Sequence, residues 1–128
     1  MAAEPLESIE QLREALREFS AERDWDQFHS PKNLSMALIV EAAELLEHFQ
    51  WMSEPESAAL SSAKRAEVRA EMADVFIYLV RLADRLDVDL LQAAADKMRL
   101  NAVRYPAEQF RGSSRKYTEL QSREKPPD

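Results

Sequence analysis

Glu41 and Glu44 stand three residues apart, and Glu71 and Asp74 repeat that spacing further along the chain. Residues three apart on a helix are surface neighbours, so each pair sets two carboxylates on one face. No lysine or arginine falls three or four positions from any of the four acids; Asp74, for example, sees Ala70, Glu71, Ile77 and Tyr78. An ordinary solvated helix face mixes signs at these spacings. Carboxylates drawn together without cations lose solvation and repel, so they must take up protons or hold a metal ion. An all-oxygen ligand set suits a hard ion, Mg²⁺, with Mn²⁺ as a possible substitute. Two other readings stay open. The acids can simply face water. A di-iron carboxylate centre would want Glu-x-x-His on two helices, but His48 follows Glu44 by four and the other histidine, His29, lies in a connector.

Four main helices are expected to carry these residues. The first runs over Ile9–Glu22, opened by Ser8 and Gln11 in a capping-box pattern. "RDWDQFHSP" is a connector. Ser30-Pro31 starts the second helix, which continues to about Trp51. "SEPESAALSS" is a polar linker with room for one short turn. The third helix spans about Ala63–Leu86 and is broken by "DVD"; the fourth begins at Asp89 and ends before Tyr105-Pro106. If the linker folds the second and third helices into an antiparallel hairpin about residues 57–58, Glu41 faces Asp74 and Glu44 faces Glu71. The second helix is apolar nearly all round from Leu34 to Val40, and the third from Val75 to Val80. Helices of that kind are buried, and a chain this short has little interior of its own, so other copies are expected to cover them. The fold class is all-α, a four-helix bundle-like fold assembled as an oligomer. One domain is expected over 1–128, with loose ends at about 1–5 and 112–128.

Composition narrows the function classes. The chain has 128 residues, a single glycine and no cysteine, which favours helices and excludes thiol chemistry and cysteine-ligated metals. A net charge of −7 argues against a partner that is a nucleic acid polymer. The longest uncharged apolar run is Val75–Val80, far short of the ~20 residues that span a bilayer. No secretory leader pattern opens the sequence. A soluble, cytoplasmic protein is the expectation.

The segments "ERDWDQFHSPKNL", "EAAELLEHFQW", "EMADVFIYLVRLAD", "KMRLNAVRYP" and "GSSRKYTEL" occur in that order between about Phe19 and Leu120. Together with the ExxE and ExxD pairs they resemble the MazG-like all-α nucleoside triphosphate pyrophosphatases, most closely the dCTP pyrophosphatase branch. The resemblance implies Mg²⁺-dependent hydrolysis of a nucleoside triphosphate to monophosphate and pyrophosphate. It implies that Glu41, Glu44, Glu71 and Asp74 are the catalytic metal ligands. It places Lys97, Asn101, Arg104 and Tyr105 on a substrate-binding helix, and Trp25 and Trp51 in an aromatic base pocket. It also implies a homodimer or homotetramer with sites lined by more than one subunit. Val40 and Glu67 depart from the wider family, which has a second acid and a lysine there. Leu16 stands where mammalian relatives have a histidine near the base.

The residues themselves are compatible with those roles. Lys97 and Arg104 are seven apart and share a helix face, with Asn101 near it, which makes a phosphate-facing strip or an ordinary solvated one. Flat tryptophans can stack a base or pack a core. Tyr78 is one turn beyond Asp74 and can reach the sugar or merely pack. His29, just before the Ser30 cap, is a candidate for the pocket mouth. Glu47 is left to solvent or to supporting contacts, and His48 to structure. Besides dCTP or a modified dCTP, a dUTPase-like or broad-specificity pyrophosphatase remains open. So does a non-enzymatic helical oligomerisation module stabilised by a metal.

Overall fold

The helices begin where short polar side chains can satisfy free backbone N–H groups. Ser8, Ser30, Ser53 and Ser61 each accept from the N–H three residues on, at 3.1–3.3 Å, and Asp89 does the same for Gln92 at 3.0 Å. The structure, a computed structural model, describes residues 4–121, and the side chains of 4–119. Of the loose ends expected at about 1–5 and 112–128, residues 1–3 and 122–128 lie outside the described residues. Among the described residues there are helices and no strands: α1 (Ile9–Glu22), a 3₁₀ turn (Asp26–Phe28), α2 (Pro31–Glu47), α3 (Glu54–Ala58), α4 (Ser62–Arg85), α5 (Leu90–Arg104), α6 (Ala107–Phe110) and α7 (Tyr117–Gln121). No helix among them is long and apolar enough to cross a membrane.

The second helix stops at Glu47 rather than at Trp51. The backbone tightens there: His48 N–H donates to Leu45 O, and Phe49 and Gln50 both donate to Leu46 O. Ser53 then caps α3, which carries Pro55 in its first turn. Trp51 is left in the connecting turn. The expected short turn in the polar linker is α3.

Contacts divide the chain into two compact units, Met1–Val88 and Asp89–Asp128. In the first, α2 packs along α4 as the main pairing and α1 lies against α4. Leu34 of α2 and Val68, Val80 and Ala83 of α4 are buried. Other apolar residues of the same two helices are not: Ile39 is 66% exposed, Leu46 61% and Met72 57%. In the second unit, the ring of Tyr105 meets Phe110 edge-on at 4.8 Å and Tyr117 at 5.7 Å. Gly112, at φ 73°, supplies the left-handed turn between α6 and the chain leading to α7. The segment after Gly112 thus carries a short helix that the sequence pattern does not announce.

α1 and α4 end in the same way. Asp24 N–H donates to Ala21 O and Trp25 N–H to Ser20 O; Asp87 N–H donates to Asp84 O and Val88 N–H to Ala83 O. These are paired Schellman bonds, and they need a left-handed residue after the helix. Glycine usually fills that position, but here Asp24 and Asp87 do so, both at φ 54°. The left-handed region costs an L-residue roughly 1–2 kcal/mol, offset in part by glycine's greater freedom in the unfolded chain. Asp87→Gly is expected to stabilise the fold by about 0.5–1 kcal/mol and to raise the melting temperature by a few degrees. An unchanged or lower melting temperature would show that the aspartate side chain contributes more than its backbone strain costs.

Candidate active site

The Schellman turn after α1 sends Trp25 and the 3₁₀ turn back over α4. The Ser30 cap then starts α2, and Asn33 Nδ2 donates to Phe28 O at 3.0 Å to pin that corner. α2 and α4 run side by side, and their carboxylates meet between them. Oxygen atoms of Glu41, Glu44 and Glu71 lie within 4.8 Å of one another. Asp74 is outside that closest group but lines a cavity with Glu41, while Glu44 lines a second cleft with Glu71. The pairing of Glu41 with Asp74 and Glu44 with Glu71 is the one that the hairpin register anticipates.

The electrostatics of the cluster are unmet. Glu41 Oε2 and Glu71 Oε2 are buried and have no hydrogen-bond partner. Burial, then hydrogen bonding to Glu44 and repulsion from Glu44, Asp74 and Glu71, pushes the Glu41 carboxyl up to about 7. Two orphaned carboxylate oxygens from facing helices, with a third acid alongside, form an all-oxygen donor set that fits a hard divalent cation.

The cluster separates two hollows of different character. One, of 430 Å³, is mainly apolar: Leu12, Leu16, Phe19, Trp25, Ile77 and Tyr78 line it, with His29, Ser20 and Arg81 as polar groups. The other, of 710 Å³, is polar and holds Glu44, Glu47, His48, Trp51, Lys64 and Glu71. Trp25 and Trp51 therefore do not share a cavity within one chain. Trp25 packs edge-on against Phe19 at 5.7 Å, whereas Trp51 is 89% exposed. Tyr78 and His29 both line the apolar cavity. Lys97, Asn101, Arg104 and Tyr105 belong to the second unit. Lys97 and Asn101 are exposed on α5, and the Arg104 guanidinium lies 4.9 Å from the centre of the Tyr117 ring.

Several polar residues at the site are not evident from helical spacing. His48, assigned to structure by the sequence, sits 3.6 Å from both Glu71 Oε1 and Glu67 Oε2. Lys64 Nζ lies 3.3 Å from His48 Nδ1 and 2.9 Å from Glu67 Oε2. A cation thus reaches the edge of the cluster from two turns before Glu71, beyond the three- and four-residue spacings. It holds the Glu67 carboxylate below its usual range. On the other side of the site, the buried Arg81 donates to Asp26 and to His29 Nδ1. The only signal for Arg81 is a lone arginine after the apolar block Val75–Val80.

With this geometry in view, comparison with known proteins is decisive. Residues 36–120 match the MazG-like family. The chain belongs to that family. Among curated proteins it is 51% identical over 118 residues to human dCTP pyrophosphatase 1, covering 91% of this chain and 69% of that protein. The mouse dCTP pyrophosphatase 1 is 50% identical over the same shares. Among solved structures, a pyrophosphatase from Archaeoglobus fulgidus superposes with a TM-score of 0.74 at 38% identity, covering 83% of this chain and 99% of that one. This MazG-like chain thus shares both sequence and fold with nucleotide-acting hydrolases.

The acid cluster has a pH signature. Between the ordinary 4.5 and about 7, folded Glu41 keeps a proton that the unfolded chain has released. The folded state then binds more protons, so the Glu41 contribution to stability falls as pH rises through that window. His29, held below its usual value, acts in the opposite sense, so a difference between variants isolates Glu41. In chelator, Glu41→Gln is expected to melt near wild type at pH 4.5 and above it at pH 7.5. A difference that does not grow with pH would show Glu41 to be an ordinary solvated acid.

Proposed function

We propose that this chain is a divalent-metal-dependent nucleoside triphosphate pyrophosphatase that hydrolyses dCTP, or a 5-substituted dCTP, to the monophosphate and pyrophosphate. It would act in the cytoplasmic nucleotide pool. The observation that carries the reading is the pair of buried, partnerless carboxylate oxygens of Glu41 and Glu71 beside an aromatic cavity of nucleobase size. The identity to dCTP pyrophosphatases over most of the chain supports the substrate class.

Each part of the substrate has a matching feature. The apolar cavity, with Trp25, Phe19 and Leu16, suits a flat pyrimidine, and its aliphatic wall tolerates a 5-substituent. Tyr78 lines that cavity together with Glu41 and Asp74 and is the candidate contact for the sugar. Glu41, Glu44, Glu71 and Asp74 would hold Mg²⁺, which when bound neutralises phosphate charge and acidifies water. A carboxylate oxygen of this set that the ion leaves free could orient the attacking water and accept its proton. Lys64 in the polar cleft is a candidate phosphate contact, and Lys97, Asn101, Arg104 and Tyr105 remain candidate substrate contacts on the family resemblance.

A homo-oligomer, a tetramer in the first instance, completes the reading. The exposed Ile39, Leu46 and Met72 on the central helices support it, as does the 89% exposure of Trp51. Trp51 would then serve a site shared between subunits. Light scattering at low micromolar concentration is expected to give a multiple of the 14.7 kDa chain mass. A stable monomer would remove the shared-site part of the proposal.

The activity is tested with a panel of nucleoside triphosphates, with products resolved. dCTP with Mg²⁺ should yield dCMP and pyrophosphate. Asp74→Asn keeps the shape of the side chain but removes a charge and a strong ligand. Turnover should fall roughly a thousandfold, since the charge neutralisation involved is worth several kcal/mol. The rise in melting temperature on adding Mg²⁺ should shrink as well. A variant with normal turnover and the full Mg²⁺ shift would mean that Asp74 is a solvent-facing acid. Preference for dUTP or a purine triphosphate would reassign the base.

A further inference from the structure

Arg81 is 5% exposed, and each of its three guanidinium nitrogens makes a contact. One end pairs with Asp26 of the 3₁₀ turn, and the other lies 3.4 Å from Asp84 Oδ2. Asp84 is itself gripped by Arg17 of α1, whose Nε donates at 2.8 Å. Arg81 Nε–H points to Nδ1 of His29 at 3.2 Å. Ser20 Oγ lies 3.5 Å from the same nitrogen. An arginine at this site only donates, so Nδ1 must be the lone-pair nitrogen and the proton of a neutral imidazole must sit on Nε2. No described residue accepts from Nε2, and the ring lines the apolar cavity.

We propose that Arg81 is a positioning residue of the base cavity: it fixes His29 as the Nε2–H tautomer, and that N–H donates to a carbonyl oxygen or ring nitrogen of the bound base. The proposal rests on the reading that the cavity receives the base. The other tautomer would turn this wall from a donor into an acceptor and invite an exocyclic amine instead. Burial, and next the charge of Arg81, hold His29 below its usual value, which keeps the ring neutral. Arg81 ties His29 to the 3₁₀ turn and to α4 at once, so the ring is also held against rotation.

The first test needs no substrate. The chain has two histidines, and the signals lost in His29→Gln assign a long-range ¹H–¹⁵N spectrum. Wild type should show His29 with Nδ1 unprotonated and Nε2 protonated at neutral pH. An Nδ1–H tautomer or an imidazolium there overturns the proposal, whatever any variant does.

The second test is kinetic. Arg81→Met should mix the tautomers and raise KM for dCTP roughly three- to tenfold, the size of one lost neutral hydrogen bond, with kcat within about twofold. Arg17 still neutralises Asp84 in that variant, and the Asp26 side chain is 48% exposed, so the fold should survive. Glutamine at 29 carries an amide N–H near the place of Nε2 whatever its neighbours do. The double variant Arg81→Met/His29→Gln should therefore regain KM to within about threefold of wild type. Failure to regain it assigns Arg81 to structure alone and overturns the proposal. Should Arg81→Met not fold, His29→Gln and His29→Leu decide: the former near wild type and the latter three- to tenfold up in KM supports the donor role, and equal losses overturn it. If wild type hydrolyses no nucleoside triphosphate, the base-cavity reading falls and the donor role with it, while the spectrum still decides whether Arg81 sets the tautomer.

Discussion

The structure turns on one constraint: α2 and α4 pack together while carrying carboxylates on the faces they share. Burying an ionised carboxylate without a partner costs several kcal/mol even after relaxation. The helices meet this cost in two ways. Apolar residues on either side, Leu34 and Val80 towards one end and Val68 towards the other, bury well enough to hold the pair in register. The acids share the charge unequally, with Glu41 holding its proton far more tightly than a free glutamate does. The arrangement is tolerable when protonated and favourable when a cation is supplied. That dependence is a reason for such a cluster to exist at all.

Helix α4 carries two charge clusters, and they contrast in how their charges are paired. Around Arg81 and Asp84, two arginines meet two aspartates, and every charged group has an opposite partner within the chain. That cluster is complete and ties α1, the 3₁₀ turn and α4 into one corner. Two turns earlier, around Glu71 and Asp74, Lys64 reaches the edge of the cluster but is already engaged by Glu67, and no described ion pair joins a lysine or arginine to Glu41, Glu44, Glu71 or Asp74. The two clusters lie on one helix under the same packing.

Much of this was legible in the sequence, because helical spacing is a local rule. The serine and aspartate caps fix the starts of α1, α2 and α5. The breaks at Asp24 and Asp87 follow from turn chemistry even without glycine. The register of Glu41 with Asp74 and Glu44 with Glu71 follows from antiparallel pairing across a short linker. What was not legible is non-local. Arg81 meets Asp26 and His29 across more than fifty positions, and no periodicity carries that information. The early end of α2 depends on which carbonyls His48, Phe49 and Gln50 find, a competition settled by the turn that follows. The separation of Trp25 from Trp51 is of the same kind. Composition marks both as aromatic anchors, but only the path of the chain puts one in an apolar cavity and the other almost wholly in solvent.

The acid cluster acts as a wall between an apolar hollow and a polar cleft, and this asymmetry constrains what can bind across it. A ligand with two similar ends would leave one hollow mismatched, either an apolar group among Glu44, Glu47 and Lys64 or a charged one among Leu12, Phe19 and Ile77. A ligand with one flat, weakly polar end and one strongly anionic end satisfies both. Its anionic part could approach four carboxylates only with cations between them. Within the proposed function these conditions reinforce one another. The metal that relieves the helices of their buried charge is the one that admits the phosphates. The apolar hollow meanwhile holds the base where direct repulsion from the acids is least. Stability and catalysis would then share a single ion, so a mutation that weakens metal binding should alter both together.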